Sequence, residues 1–130
     1  MIKDSEEDKK EESFVFDTYA IFEIIMGNPL YKRYLNSKPI INDFIFAELC
    51  YNLLKESKMK TEEYAKKYQV HIVSLEPQWI KEAMEFRIKW KDRKVSITDC
   101  VGYLMAKKLN IKFLTGDQQF EDLDNVEYVK

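Results

Sequence analysis

Hydrophobic positions fall in short blocks along the chain, and their spacing changes from block to block. Residues 13–16 (SFVF) form a continuous apolar run that stops at Asp17-Thr18, as a buried strand does. Residues 18–26 (TYAIFEIIM) read as a short helix, stopped by Gly27-Asn28-Pro29. A second helix is expected over 30–35, and residues 39–41 (PII) make a very short strand. Asn42 or Asp43 caps a helix running through FIFAELCYNLLKES. Residues 61–68 (TEEYAKKY) read as a polar, exposed helix. Residues 70–75 (VHIVSL) alternate and end before Pro77, which predicts a third strand. Pro77 opens a helix with Trp79, Ile80, Ala83, Met84, Arg87 and Ile88 on or near one stripe. Residues 89–94 (KWKDRK) are a basic loop or a frayed helix end. Ser96 starts a helix through SITDCVGYLMAKKLN, residues 111–115 (IKFLT) form a fourth strand, and residues 126–129 a last short one.

Strands separated by helices require crossover connections, and these place the chain in the α/β class, with a mostly parallel sheet covered by helices on both faces. The length of 130 residues is that of one ordinary domain. Residues 1–12 (MIKDSEEDKKEE) lack hydrophobic periodicity and carry six acids against three bases; they are expected to be a mobile acidic tail preceding a domain over 13–130. The rest of the chain holds 18 bases and 17 acids, so bulk charge cannot hold a polyanion and a concentrated site must. No apolar run approaches the roughly 18 residues of a membrane helix, and the charged N-terminus is no secretory signal. Cys50 and Cys100 lie in apolar runs and read as buried reduced thiols of a cytoplasmic protein. His71, the one histidine, reads as a strand residue; alone it cannot build a histidine metal site.

In open α/β sheets ligands bind beyond the carboxyl ends of the strands, and four acids belong near that edge. Asp17 ends the first strand and Asp117 follows the fourth; Glu48 and Asp99 lie early in two helices. Three of them have a structural alternative. Asp17 either caps the helix that follows or serves a site; Asp99, three residues after Ser96, either completes a capping box or serves a site; Asp117 either makes a Gly-Asp turn or serves a site. Glu48 is harder to place on a surface, because Phe44, Ile45, Ala47, Leu49 and Cys50 surround it in sequence and no Lys or Arg stands four residues away. Carboxylates gathered in one cleft repel one another, and a hard divalent cation relieves that. All-oxygen ligands suit Mg²⁺ or Mn²⁺, which activate water and steady a phosphoryl transition state.

With FVFDTYAI at Asp17, FAELCYNLL at Glu48 and SITDCVGYLMAKKLNIKFLTGD through Asp99 and Asp117, followed by Phe120, residues 13–130 resemble a PIN domain. This is the fold of many metal-dependent ribonucleases, including the VapC-like toxins of toxin–antitoxin pairs. The resemblance implies a three-layer α/β/α sandwich around a central, mostly parallel sheet. It implies that Asp17, Glu48, Asp99 and Asp117 are the catalytic residues and surround Mg²⁺ or Mn²⁺, with Thr18 and Thr115 in support. It also implies an endoribonuclease acting on single-stranded RNA, an antitoxin partner and a homodimer. Tyr19 departs from the family pattern, which often has Asn two residues after the first Asp; the ring narrows the cleft, stacks on a base or merely packs.

Lys91, Arg93 and Lys94, a few residues before Asp99, either contact RNA phosphates or only solubilise the surface. Trp90 among them either stacks on a base or caps the core. Two other readings compete: a catalytically silent PIN-fold RNA-binding or scaffold protein, and a phosphoacceptor signalling domain. The second lacks its paired acids after the first strand and an acceptor Asp after the third.

Overall fold

The structure is a computed structural model and describes residues 12–130. The acidic stretch expected as a tail lies, except for Glu12, outside the described residues. In chain order the elements are β1 (Ser13–Phe16), α1 (Thr18–Ile25), a 3-10 helix (Pro29–Asn36), β2 (Lys38–Ile40), α2 (Asp43–Glu56) and α3 (Lys58–Gln69). These are followed by α4 (Pro77–Lys89), α5 (Ile97–Leu109), β3 (Lys112–Thr115), a short 3-10 turn (Gln118–Phe120) and β4 (Val126–Tyr128).

Among the described residues four strands pair in the order β2-β1-β3-β4, all parallel. From β1 the chain leaves to one side to make β2 and returns on the other side as β3. The junction between β1 and β3 is therefore the point where the strand order reverses, and their carboxyl ends flank a crevice. Register places Val15 beside Phe113 and Phe16 beside Leu114. Alternation then sends Phe14 and Phe16 to one face and Val15 and Phe113 to the other. On the first face Phe14 meets Tyr34 of the 3-10 helix edge-on at 5.4 Å. On the second, Phe113 meets Tyr103 of α5 and Phe120 at 6.2 and 5.2 Å. Both faces of the sheet are thus covered, giving the three-layer α/β/α arrangement.

Gly102 lets α5 approach the sheet. A Cβ there would lie 2.8 Å from Phe113 Cε1 and 3.4 Å from Ile45 Cδ1. Trp90, stacked on Phe86 at 5.3 Å and tilted against Tyr103, is a core cap and not a free platform.

One expected element is absent. Residues 70–75 do not form a third strand; they make turns and coil after α3, with a single bridge between Ile41 and Ile72. The Ile41 amide donates to the His71 carbonyl and the Val73 amide to the Ile41 carbonyl, at 3.1 and 2.8 Å. The cause lies in the neighbour. β2 ends at Ile40, and Asn42 already caps α2 through the Ile45 amide, so one residue remains for a fifth strand to pair with. Ile72 and Leu75 still pack half-buried against the core, while Val70 is 74% exposed. His71 accordingly sits in a turn, not a strand.

Candidate active site

The chain leaves β1 at Phe16 and begins α1 at Thr18, so Asp17 occupies the junction. It holds the N-cap position of α1, yet its side chain makes no capping bond. Instead the Thr115 hydroxyl, at the end of β3, donates to Asp17 Oδ2 at 2.6 Å. The Asp17 amide donates to the Leu114 carbonyl at 3.0 Å, so backbone and side chain both tie this acid to the neighbouring strand. Asp17 is 3% exposed and Thr115 fully buried. The capping alternative for Asp17 is therefore excluded by its partner.

Asp99 and Asp117 do both jobs. Ser96 Oγ accepts from the Asp99 amide at 3.1 Å, and Asp99 Oδ2 accepts from the Ser96 amide at 2.9 Å, a complete capping box. One oxygen is thereby spent, and Oδ1 makes no hydrogen bond among the described residues. Asp117 accepts from the Gln119 amide at 2.9 Å and caps the short 3-10 turn, while its own amide donates to Thr115 Oγ1 at 3.1 Å. Thr115 is thus a hinge pin between two acids. It donates to one and accepts from the backbone of the other.

Glu48, half-buried on α2, completes the group. All four acids line one cleft of about 400 Å³. Its walls are Tyr19, Phe22 and Glu23 of α1, Met26 just past its end, and Asn52, one turn beyond Glu48 on α2. Glu23 and Asn52 were not singled out from sequence. The signal for Asn52 was its i+4 spacing from Glu48, which places both on one helix face; its amide nitrogen donates to the Glu48 carbonyl at 3.0 Å.

The electrostatics follow from this geometry. The carboxyl of Asp17 is pushed up from its ordinary value to about 8, first by burial and then by the charge of Asp99, with Glu48 and Asp117 adding to the rise; the Thr115 bond opposes it. Asp99 is also raised by burial and by Glu48 and Asp117, against the bonds from Ser96. The cleft lining includes no Lys, Arg or His.

Such a donor set fits a hard divalent cation. The groups are all oxygen, the negative charge is uncompensated, and the buried Thr18 hydroxyl at the cleft has no partner. Among the described residues no three His, Cys, Asp or Glu side chains close into a ready cage.

The basic segment is placed elsewhere. Arg93 forms a two-pronged pair with Asp122, at 2.9 and 3.0 Å, and donates to the Gln119 carbonyl at 2.6 Å. Its guanidinium therefore clamps the loop to the turn that begins at Asp117. Lys91 and Arg93 line a separate groove of about 470 Å³ with Met84, Arg87, Ile88, Trp90 and Val95. Lys94 is exposed, and none of the three lines the acidic cleft.

Fold and site together define an α/β domain of parallel strands with an acid-lined cleft at the reversal of its strand order. The model of the PIN domain family matches residues 14–126, a span that contains all four acids, and the chain belongs to that family. No curated protein matches the sequence significantly. Among solved structures the chain is similar to VapC20 of Mycobacterium tuberculosis, described as a sarcin-ricin loop cleaving toxin. The TM-score is 0.75 at 17% identity, over 92% of this chain and all of that one. It is also similar to a toxin–antitoxin complex from Klebsiella pneumoniae, with TM-score 0.69 and 15% identity over 88% of this chain and 95% of that one. A third is VapBC-1 from nontypeable Haemophilus influenzae, with TM-score 0.68 and 14% identity over 91% and 97% of the two chains. At these identities the likeness is one of fold.

Among the described residues no helix is long and apolar enough to cross a membrane.

Proposed function

We propose that this protein is a Mg²⁺- or Mn²⁺-dependent endoribonuclease that hydrolyses phosphodiester bonds of single-stranded RNA, and that it is the toxin of a toxin–antitoxin pair. The observation that carries the reading is the convergence of Asp17, Glu48, Asp99 and Asp117, from four separate elements, on one cation-free cleft at the strand-order reversal. PIN-family membership supports it, as does the likeness in fold to a toxin that cleaves the sarcin-ricin loop and to two toxin–antitoxin assemblies.

In this reading Asp17, Glu48, Asp99 and Asp117 hold the cation. A cation held there would supply positive charge to the scissile phosphate and make the attacking water more acidic. The chain's own task is positioning. The Thr115 hydroxyl fixes Asp17, the Ser96 amide fixes Asp99 and the Gln119 amide fixes Asp117, so three carboxylates are oriented before any ligand arrives. The Thr18 hydroxyl is left to hydrogen-bond a water or a phosphate oxygen. Lys91 and Lys94 lie outside the cleft and suit flanking phosphates; Arg93 contributes through the loop it clamps. The remaining elements of the proposal are an antitoxin that covers the cleft or an adjacent groove, a homodimer, and a cytoplasmic setting.

The test is cleavage of a mixed pool of single-stranded RNA with Mg²⁺ or Mn²⁺, with EDTA and Asp99→Asn as controls. Cleavage that disappears in both controls supports the proposal. Metal binding without cleavage of any RNA favours the silent RNA-binding or scaffold reading. For the toxin role, expression of the wild-type chain should arrest growth of a bacterial host and Asp99→Asn should not. Equal growth of the two refutes it.

A further inference from the structure

We propose that Tyr19 is a base-stacking platform that seats single-stranded RNA beside the acids and contributes to its selection over duplex. The inference rests on the ribonuclease reading above and adds a residue that contacts substrate through its base.

Five acids line the cleft, counting Glu23, and the lining contains no cation. A polyphosphate chain entering it meets repulsion everywhere except at the metal. Lys91 and Arg93 face a different groove. Apart from the cation, affinity inside the cleft must therefore come from uncharged contacts, and for a single strand the available ones are the faces of its bases.

Tyr19 is placed to offer that contact. It is the second residue of α1, two after Asp17, and 39% exposed, whereas its neighbours Thr18 and Ala20 are buried. Phe22 on α1 and Met26 at its C-cap follow on the same wall of the cleft, three and seven residues on, so the apolar stripe begins at the acids and runs away from them to the end of the helix. A ring present only to fill the core would be buried; this one lines the cleft.

The ring is also held in place. A Cβ on Gly116 would overlap Tyr19 Cε1 and Cδ1 as well as the Val129 carbonyl oxygen. Gly116 does not have a positive φ, so space and not backbone conformation requires glycine there. The edge of the Tyr19 ring therefore rests on bare backbone between Thr115, which holds Asp17, and Asp117. A platform fixed against the residues that carry the acids keeps a stacked base in register with the reacting phosphate.

The experiment uses the full chain with Mg²⁺ and a fluorescein-labelled single-stranded RNA 12-mer of mixed sequence. Anisotropy is read in an Asp99→Asn background so that nothing is cleaved, and steady-state cleavage is read in the active background. Tyr19→Leu should weaken binding at least about fivefold and up to about a hundredfold. It should raise KM while leaving kcat within about threefold, and narrow the preference for single strand over duplex. Tyr19→Phe, which keeps the ring, should bind within about twofold of the parent. In Tyr19→Trp the indole emission should be quenched when the RNA is added. Folding is checked for each variant by circular dichroism. A folded Tyr19→Leu that binds and cleaves like the parent overturns the inference, and so does a Tyr19→Phe as weak as Tyr19→Leu. If the parent neither binds nor cleaves RNA, the ribonuclease reading itself has failed; if the parent cleaves and Tyr19→Leu is indistinguishable, only the role of Tyr19 has.

Discussion

Replacing Asp17 with Asn should make the metal-free protein more stable, although it removes a residue at the centre of the site. Asp17 is 3% exposed and its carboxyl is pushed up from 3.8 to about 8 by burial and by Asp99. At pH 7 the unfolded chain carries it ionised, whereas the folded chain must keep it protonated. At about 1.4 kcal/mol per pH unit, the penalty for folding with Asp17 is on the order of 4 kcal/mol at pH 7. Because the folded value lies above the unfolded one, the penalty is absent below about pH 4, grows as the pH rises, and is complete near pH 8. Asn keeps the shape and an acceptor for the Thr115 hydroxyl without taking up a proton. Urea unfolding in EDTA at pH 7 should therefore find Asp17→Asn about 2–4 kcal/mol more stable than wild type, with the gap closing by pH 4. Adding Mg²⁺ should stabilise wild type and close the gap from the other side. Equal or lower stability of the variant at pH 7, or a gap that does not change with pH, would refute the account of the cleft as an unrelieved concentration of negative charge.

Three further outcomes follow from the packing and hydrogen bonding. Gly102→Ala should cost about 1–3 kcal/mol in urea unfolding, since its Cβ would meet Phe113 Cε1 at 2.8 Å in a filled core; a neutral result would show that α5 can move away from the sheet. Thr115→Val should cost about 1–3 kcal/mol, because it removes both a donor to Asp17 and an acceptor for the Asp117 amide at a fully buried position, and an unchanged urea midpoint would count against that network. Arg93→Ala should leave the global unfolding transition nearly in place yet speed amide hydrogen exchange at Gln119 and Phe120, as the clamp onto the turn is lost; unchanged exchange there would show that the turn holds without it.

Much of the fold could be read from local pattern. The run at 13–16, the cap at Asn42, the start at Ser96 and the stop at Gly27-Asn28-Pro29 are each decided by residues close in sequence, and each appears as expected. The strand over 70–75 failed because a strand needs a partner as well as a pattern, and β2 is too short to be one. The acids divide in the same way. For Asp99 and Asp117 cap and cleft proved compatible, since a carboxylate has two oxygens and a cap uses one. For Asp17 the deciding partner is Thr115, 98 residues away, which no local reading supplies. The commitment of Arg93 to Asp122, 29 residues on, was hidden for the same reason.

That long separation sets a timetable. A ribosome makes β1 first, but β1 pairs with β3, and Asp17 acquires its hydrogen-bond donor only when residue 115 arrives. At about 5–20 residues per second, the first acid waits roughly 5–20 s for its neighbour. Through that interval the nascent chain acquires Glu48 and then Asp99, but it has neither the crevice between β1 and β3 nor Asp117 to line it. The cleft can exist only once residues 115–117 have been made. A protein that degraded RNA would thus be harmless to the message from which it was being translated until Thr115 and Asp117 had been made and joined to β1.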